Sequence, residues 1–332
     1  MNETASKIID VLVDERQLWY VTIQLTKKCN FQCKYCYQTP EKKNVLEELN
    51  NEDWYRILDE IYDFGCRTVK FTGGEIFCYK DFAKVYKYAW NKGMIITLFT
   101  NGYLLTDELI SLFQLMPPKK IRISIYGNNN ERYLSFSKIK NGWSTVSKNI
   151  EKLVLHKIIT EVSCVLNKDN VMYVDKIFNF AKSLGIKCSI FTVINAFEDG
   201  NAEPLNLQLP ADVIKEKLTE LGVWREYLSK VQARESIWRE GYKKCNAGLT
   251  SCNIDNMGRV YLCEFEQTKK ISLLDQSMSS VWKELLTERK ERIEKIGKCS
   301  SCNKKNICGM CFPVYNYVYK NNSQIMQKVL LW

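Results

Sequence analysis

The sequence predicts an α/β protein: a partial, open (β/α)6 TIM-like barrel followed by a small cysteine-rich domain. Three observations carry this. Six short apolar runs alternate with helix-period stretches between residues 20 and 193, the pattern of parallel βαβ units with right-handed crossovers. That span is too short for a closed eight-fold barrel, which takes ~250 residues. From Cys245 the pattern changes: seven cysteines fall between residues 245 and 311, periodicity fades, and Asn, Ser and Gly accumulate. The shift predicts a second domain held by metal rather than by apolar burial.

The elements follow in order. Residues 1–19 form an N-terminal extension with a helix over 5–12. The run Tyr20-Val-Thr-Ile-Gln-Leu25 reads as a buried strand. A helical pattern from Asn51 to Phe64 ends at Gly65, and Thr68–Phe71 is the next strand, running into Thr72-Gly73-Gly74-Glu75. A helix over 81–91, stopped by Lys92-Gly93, leads to strand 95–99 and the turn Thr100-Asn101-Gly102. Another helix starts at Thr106-Asp107-Glu108, ahead of strand 120–125. Helix 144–156, strand 160–166, helix 171–184 and strand 186–193 complete six units. A polar connector covers 195–210, and 211–240 reads as amphipathic helix. The expected organisation is an extension (1–19), the barrel (20–210), a helical linker (211–243) and the cysteine-rich domain (244–332).

Composition excludes several classes. The chain of 332 residues is 45% hydrophobic and 26% charged, an ordinary globular balance. It has no run of ~18 apolar residues for a membrane span and no basic-then-apolar export signal, so a cytoplasmic location is expected. Fourteen cysteines in such a chain favour metal or cluster binding over disulfides. The sole histidine, His156, lies in a helical stretch. Ser-His-Asp chemistry and multi-histidine metal sites are therefore set aside, and sulfur must carry the metal chemistry. The net charge of +10 comes from scattered lysines with no nucleic-acid motif; it suits anionic ligands such as acidic peptides.

Straight after the first strand comes Cys29-Asn-Phe-Gln-Cys33-Lys-Tyr-Cys36, spaced CxxxCxxC. The strand's C-terminal end is where a barrel places its chemistry. Three thiolates there can hold three irons of a cubane cluster that normally takes four cysteines. The fourth iron is then left open to a small molecule, as catalytic metal sites keep an open position. Spacing alone also allows three incidental buried cysteines or part of a zinc site.

With Gly73-Gly74-Glu75 one βα unit later, this loop resembles the radical S-adenosylmethionine (SAM) superfamily. The resemblance implies a [4Fe-4S] cluster whose open iron is chelated by SAM, and a 5′-deoxyadenosyl radical that abstracts a substrate hydrogen; the cofactors supply the hard chemistry. It implies SAM contacts from Tyr35 on the adenine side, from Gly73, Gly74 and Glu75 at the methionine amino group, and from Thr100 and Asn101 in the TNG turn. It adds Ser124 at the methionine end and Asn167 at the ribose. Relatives often carry an arginine ten to twelve residues after that serine. Here that region reads Tyr133-Leu-Ser-Phe-Ser-Lys138, leaving Arg132 or Lys138 as substitutes.

The C-terminal region resembles the SPASM extension, which binds auxiliary iron–sulfur clusters. The match covers Cys245, Gly258-Arg-Val-Tyr-Leu-Cys263, Cys299-Ser-Ser-Cys302, Cys308 and Cys311. By this resemblance Cys245, Cys252, Cys263 and Cys311 hold a first auxiliary [4Fe-4S] cluster, and Cys299, Cys302 and Cys308 hold a second. Two complete four-cysteine cubanes need eight ligands, and this region has seven. The second cluster therefore has an open or non-cysteine ligand, borrows Cys66, Cys78, Cys164 or Cys188, or is absent. A structural zinc domain is the rival reading of its CxxC pairs. Glu264, next to Cys263, matches the acidic base of sulfatase-maturing relatives, with a solvated carboxylate as its alternative.

The expected function is hydrogen abstraction from a peptide, expected to be a ribosomal precursor, with oxidative modification or crosslinking through a thioether or carbon–carbon bond. A low-potential donor such as flavodoxin or ferredoxin would supply the electron. The roughly 20 residues ahead of the first strand are too few for an independently stable leader-recognition domain. Rival expectations are an anaerobic sulfatase-type formylglycine maturase, a small-molecule radical SAM dehydrogenase, and a zinc-stapled binding protein on a degenerate barrel. No nucleic-acid or membrane partner is expected.

Overall fold

In a computed structural model of the chain, residues 11–38, 48–197, 201–233, 238–239, 242–243, 245–264 and 269–294 are described. The six predicted strands all form: β1 (Tyr20–Thr26), β2 (Thr68–Gly73), β3 (Ile95–Thr100), β4 (Lys120–Ser124), β5 (Thr160–Val165) and β6 (Lys187–Phe191). They pair in parallel, in sequence order, with no closing contact between β6 and β1. Between them run α1 (Asn51–Asp63), α2 (Phe82–Asn91), α3 (Asp107–Leu115), α4 (Asn130–Ser137), α5 (Gly142–Leu155) and α6 (Val174–Ser183). The caps are local chemistry: Asn50 and Asp53 form a capping box on α1, and the Thr106 hydroxyl accepts from Leu109 N–H on α3.

Strand alternation divides the sheet. Val21, Ile23 and Leu25, then Val69 and Phe71, Ile96 and Leu98, Ile121 and Ile123, and Val162 and Cys164 are buried in one core against the helices; Phe71 meets Phe82 of α2 edge-on. The alternate residues form polar rows on the concave face: Thr22 beside Lys70, then Phe99 beside Arg122 beside Glu161. Arg122 pairs with Glu161 and lies over the Phe99 ring.

Three differences from the sequence reading have physical causes. Residues 211–240 do not make one helix: α7 (Ala211–Glu220) stops at Gly222, whose φ of +71° no helix accepts, and α8 (Trp224–Ala233) restarts beyond it. The short α4, unread in the sequence, starts where the Asn129 side chain accepts from Arg132 N–H.

The third difference is larger. Beyond a short antiparallel ribbon of β7 (Trp238–Arg239) and β8 (Tyr242–Lys243), residues 245–264 and 269–294 join the barrel. β9 (Ser251–Ile254) pairs in parallel with β1, β10 (Arg259–Tyr261) pairs antiparallel with β9, and β11 (Ile271–Ser272) pairs with β10. Then α9 (Met278–Glu294) buries Met278, Val281, Trp282 and Leu285 in the same core. At about 1.5–3 kcal/mol for each large buried side chain, apolar burial holds this segment, correcting the expectation of a metal-held unit for its described part. The sheet crosses the expected domain boundary at 244. Residues 5–10 of the expected N-terminal helix, and Cys299, Cys302, Cys308 and Cys311, lie outside the described residues.

Candidate active site

The cysteine loop leaves β1 and is held on three sides. At its base Gly74 N–H donates to Thr26 O and Glu75 N–H to Lys28 O, both at 2.8 Å. On the far side Gln32 N–H reaches Ser137 O at 2.9 Å and Lys34 N–H reaches Phe136 O at 3.2 Å, tying the loop to the end of α4. Lys34 also pairs with Asp169 at 2.6 Å. Between these ties Phe31 is the buried anchor, edge-on to Tyr103, Tyr126 and Tyr133. Cys29, Cys33 and Cys36 are half-buried on this one loop.

Tyr35 packs into an aromatic pocket, 4.8 Å from Phe136 and 6.1 Å from Tyr126, with Tyr126 stacked on Phe136 at 5.5 Å. Burial, with the thiols nearby, pushes the Tyr35 and Tyr126 hydroxyls well above the usual tyrosine range, and Tyr126 hydrogen-bonds Cys33. Tyr126 and Phe136 were not singled out from the sequence; two aromatics ten residues apart in a loop-and-helix segment carry no chemical signature.

The glycines act on the loop itself. A Cβ on Gly74 would stand 2.3 Å from Lys28 O and 2.5 Å from Lys27 O; one on Gly73, at φ +146°, would stand 2.3 Å from Thr26 O. Backbone cannot yield as a flexible side chain does, so these glycines let β2 seat the loop. Gly74→Ala is expected to cost about 1–3 kcal/mol and to lower iron retained by the loop, read by thermal unfolding and iron content.

Glu75 points inward. Its Oε1 accepts from the Thr100 hydroxyl at 2.6 Å and from Phe77 N–H at 3.2 Å, and its Oε2 accepts from Asn101 N–H at 2.6 Å. Burial pushes its carboxyl up to about 7, against the pull of these donors. Asn101 in turn donates to Asn30 Oδ1 at 2.8 Å, joining the TNG turn to the cysteine loop. The Asn167 amide is committed to its own turn, donating to Val165 O and accepting from Asp169 N–H, both at 2.8 Å. Ser124 is the half-buried last residue of β4. Of the substitutes for the arginine, Arg132 lies flat on Tyr173 at 3.8 Å and bonds Asn128, while Lys138 is the left-handed cap of α4.

Glu264 is brought over the concave face by the β9–β1 pairing. It accepts from the Tyr37 hydroxyl at 3.3 Å and lies 3.7 Å from Lys70 Nζ; Tyr37 itself accepts from Gln24 Nε2 at 2.9 Å. Tyr37 follows Cys36 directly, so one side chain separates the loop from this acid. Cys245 and Cys263 are half-buried, whereas Cys252 is 1% exposed on β9, beside Cys66.

The loop fits a cluster with one open iron. Among the described residues no three Cys, His, Asp or Glu side chains converge on a single ion, and a cubane gives each thiolate its own iron. Two polar groups on the loop await a partner: buried Asn30 Nδ2 and the Gln38 amide, 2% exposed, with neither its nitrogen nor its oxygen hydrogen-bonded. Buried polar groups are rarely left so, and a small polar ligand would satisfy them. No helix among the described residues is long and apolar enough to cross a membrane.

Comparison with known proteins places the chain. It is 23% identical over 312 residues to an AdoMet-dependent heme synthase of Methanosarcina barkeri, covering 87% of this chain and 86% of that protein. It is 25% identical over 268 residues to the sporulation killing factor maturation protein SkfB of Bacillus subtilis, covering 78% of this chain but 63% of that relative's length. The fold matches Streptococcus suis SuiB bound to its precursor peptide SuiA, with a TM-score of 0.74 at 16% identity over 95% of this chain and 77% of SuiB. The radical SAM superfamily model matches residues 23–194, from β1 to just past β6 and so across the cysteine loop and every strand end described above; the chain is an enzyme of the radical SAM superfamily, whose chemistry runs on a [4Fe-4S] cluster and SAM.

Proposed function

We propose that this enzyme oxidatively modifies a peptide, a ribosomal precursor in particular, forming a thioether or carbon–carbon crosslink. The observation that carries this reading is the concave face. It is open between β6 and β11, lined by Gln24, Lys70, Arg122, Ser124 and Glu161, and has Glu264 at its rim beside the cysteine loop. Such a wall suits an extended polar chain, whose amides need partners once buried. SuiB with its precursor peptide and SkfB, by name a maturation protein, support the same reading.

Cys29, Cys33 and Cys36 would hold the cluster. Tyr35 would flank the adenine, and the strand-end residues Gly73, Gly74, Glu75, Thr100, Asn101, Ser124 and Asn167 would shape the SAM pocket. When bound, the cluster and SAM supply the radical that removes one hydrogen atom from the substrate. Crosslinking removes a second hydrogen as a proton and an electron. Glu264 takes the proton, held in place by Tyr37 and Lys70. C-terminal cysteines would hold an auxiliary cluster able to accept that electron, and a flavodoxin- or ferredoxin-type partner would be the low-potential donor for SAM cleavage.

The nearly full-length match to a heme synthase favours a second reading, a small-molecule substrate. Anaerobically reconstituted enzyme, given dithionite, SAM and a short peptide encoded beside its gene, separates them: the peptide should lose two hydrogens as 5′-deoxyadenosine forms. An unchanged peptide with SAM still cleaved would sink the peptide reading. Stoichiometric zinc without SAM cleavage would sink the cluster assignment. Glu264→Gln should retain SAM cleavage while crosslinked product forms about 10²–10⁴-fold more slowly.

A further inference from the structure

We infer that Cys252 is not a cluster ligand, so six C-terminal cysteines, not seven, are available for auxiliary iron. The inference rests on the proposal that this region binds such clusters, and it changes which residues do so.

The argument is the pleat of β9. Successive side chains of a strand point to opposite faces. Cys252 and Ile254 are buried in the apolar core with Val21 of β1 and Val260 of β10. Cys252 stands opposite Val21 in the ladder, and Cys66 lies close by. Ser251 and Asn253 take the other face. Asn253 donates to Leu262 O at 2.9 Å and stands opposite Tyr261, which lies near Tyr37. That second face is the one turned toward Glu264 and the cysteine loop.

The other two cysteines lie where a shared site needs them. The turn after Cys245 packs on Leu262: at Gly248, φ +70°, a Cβ would stand 2.8 Å from the Leu262 side chain. Arg289 fixes the same turn, donating to Cys245 O at 3.0 Å and Ala247 O at 2.6 Å. Cys245 is thereby brought alongside the residue that precedes Cys263. Both are half-buried, whereas reaching them from Cys252 would require turning β9 over. A one-residue slip does this and exposes Ile254 with it, while breaking the ladder to β1.

The count follows. Cys245, Cys263, Cys299, Cys302, Cys308 and Cys311 remain. Six thiolates cannot fill two four-cysteine cubanes. If two auxiliary clusters assemble, at least one of them has an iron without a C-terminal cysteine, open to another soft ligand such as a barrel or substrate thiolate.

The test uses the full chain in a Cys29→Ala, Cys33→Ala, Cys36→Ala background, where bound iron is auxiliary iron only. After anaerobic reconstitution, iron, sulfide and the reduced-state electron paramagnetic resonance spectrum are compared across variants. Cys252→Val, a near-isosteric core exchange, should match the background in all three. Cys252→Ala makes the same test should valine overfill the site, with circular dichroism reporting folding. Cys263→Ala should lose about four irons per chain. Loss of that iron in folded Cys252→Val and Cys252→Ala would overturn the inference. A background protein without auxiliary iron would overturn the cluster reading beneath it, and the inference with it.

Discussion

Replacing Cys29, Cys33 and Cys36 together with alanine should abolish 5′-deoxyadenosine formation. The physical reason is ligand count. Three thiols sit on one loop, and the only histidine, His156, caps the distant end of α5. The triple variant takes away every thiolate that the loop itself supplies. The loop is held by backbone hydrogen bonds and by Phe31 rather than by the thiols. The variant should therefore stay folded, and its failure should be chemical. Chromatography of reaction mixtures reads the product, and the thermal unfolding curve reads the fold. Retained SAM cleavage in the triple variant would refute the assignment of this loop.

Glu75→Gln should destabilise the protein by about 1–3 kcal/mol, although it changes one atom. Both carboxyl oxygens of Glu75 accept from donors: Thr100 and Phe77 on one, Asn101 N–H on the other. Protonated Glu75 keeps a lone pair on each oxygen and can serve all three. The amide nitrogen of glutamine has none to offer, so one buried N–H loses its partner. The pH dependence separates the two side chains further. Burial raises the folded carboxyl from 4.5 to about 7. The folded state then holds a proton that the unfolded state has released, and stability falls as pH rises from about 4.5 to about 7, then levels. Glu75→Gln should lack this fall. Denaturant titrations across that range would show it, and parallel curves for the two proteins would refute the buried carboxyl's role.

Much of the barrel was legible because its signals are local. Alternation and apolar runs marked all six strands within about two residues. Thr106 and Gly65 marked a helix start and a helix end, because capping and left-handed turns depend on a few adjacent residues. The loop Cys29–Cys36 was legible for the same reason: eight consecutive residues carry three ligands. Gly73 and Gly74 were also visible, but their reason was not. The sequence suggested room for a ligand, whereas the structure shows room for the carbonyls of Thr26, Lys27 and Lys28.

What stayed hidden depends on partners distant in the chain. Tyr37 and Glu264 are 227 residues apart and meet only because β9 pairs with β1. That pairing also drew residues 245–264 and 269–294 into the barrel core, where composition had suggested a unit stapled by metal. Cysteine counting treated Cys252 as equal to its neighbours, because a spacing motif contains no information about faces.

By itself, then, the sequence determined the chemistry on offer: three cysteines on a strand-end loop, glycines at the next strand end and a cysteine-rich C-terminal segment. Those follow from residue type and short-range spacing. Only the tertiary structure decided which way each group points. Glu75 turns in to bracket two strands, Glu264 turns to the loop, and Cys252 turns into the core. The reason is the period of a strand: a shift of one residue reverses a side chain's face, and long-range pairing alone fixes which face is buried.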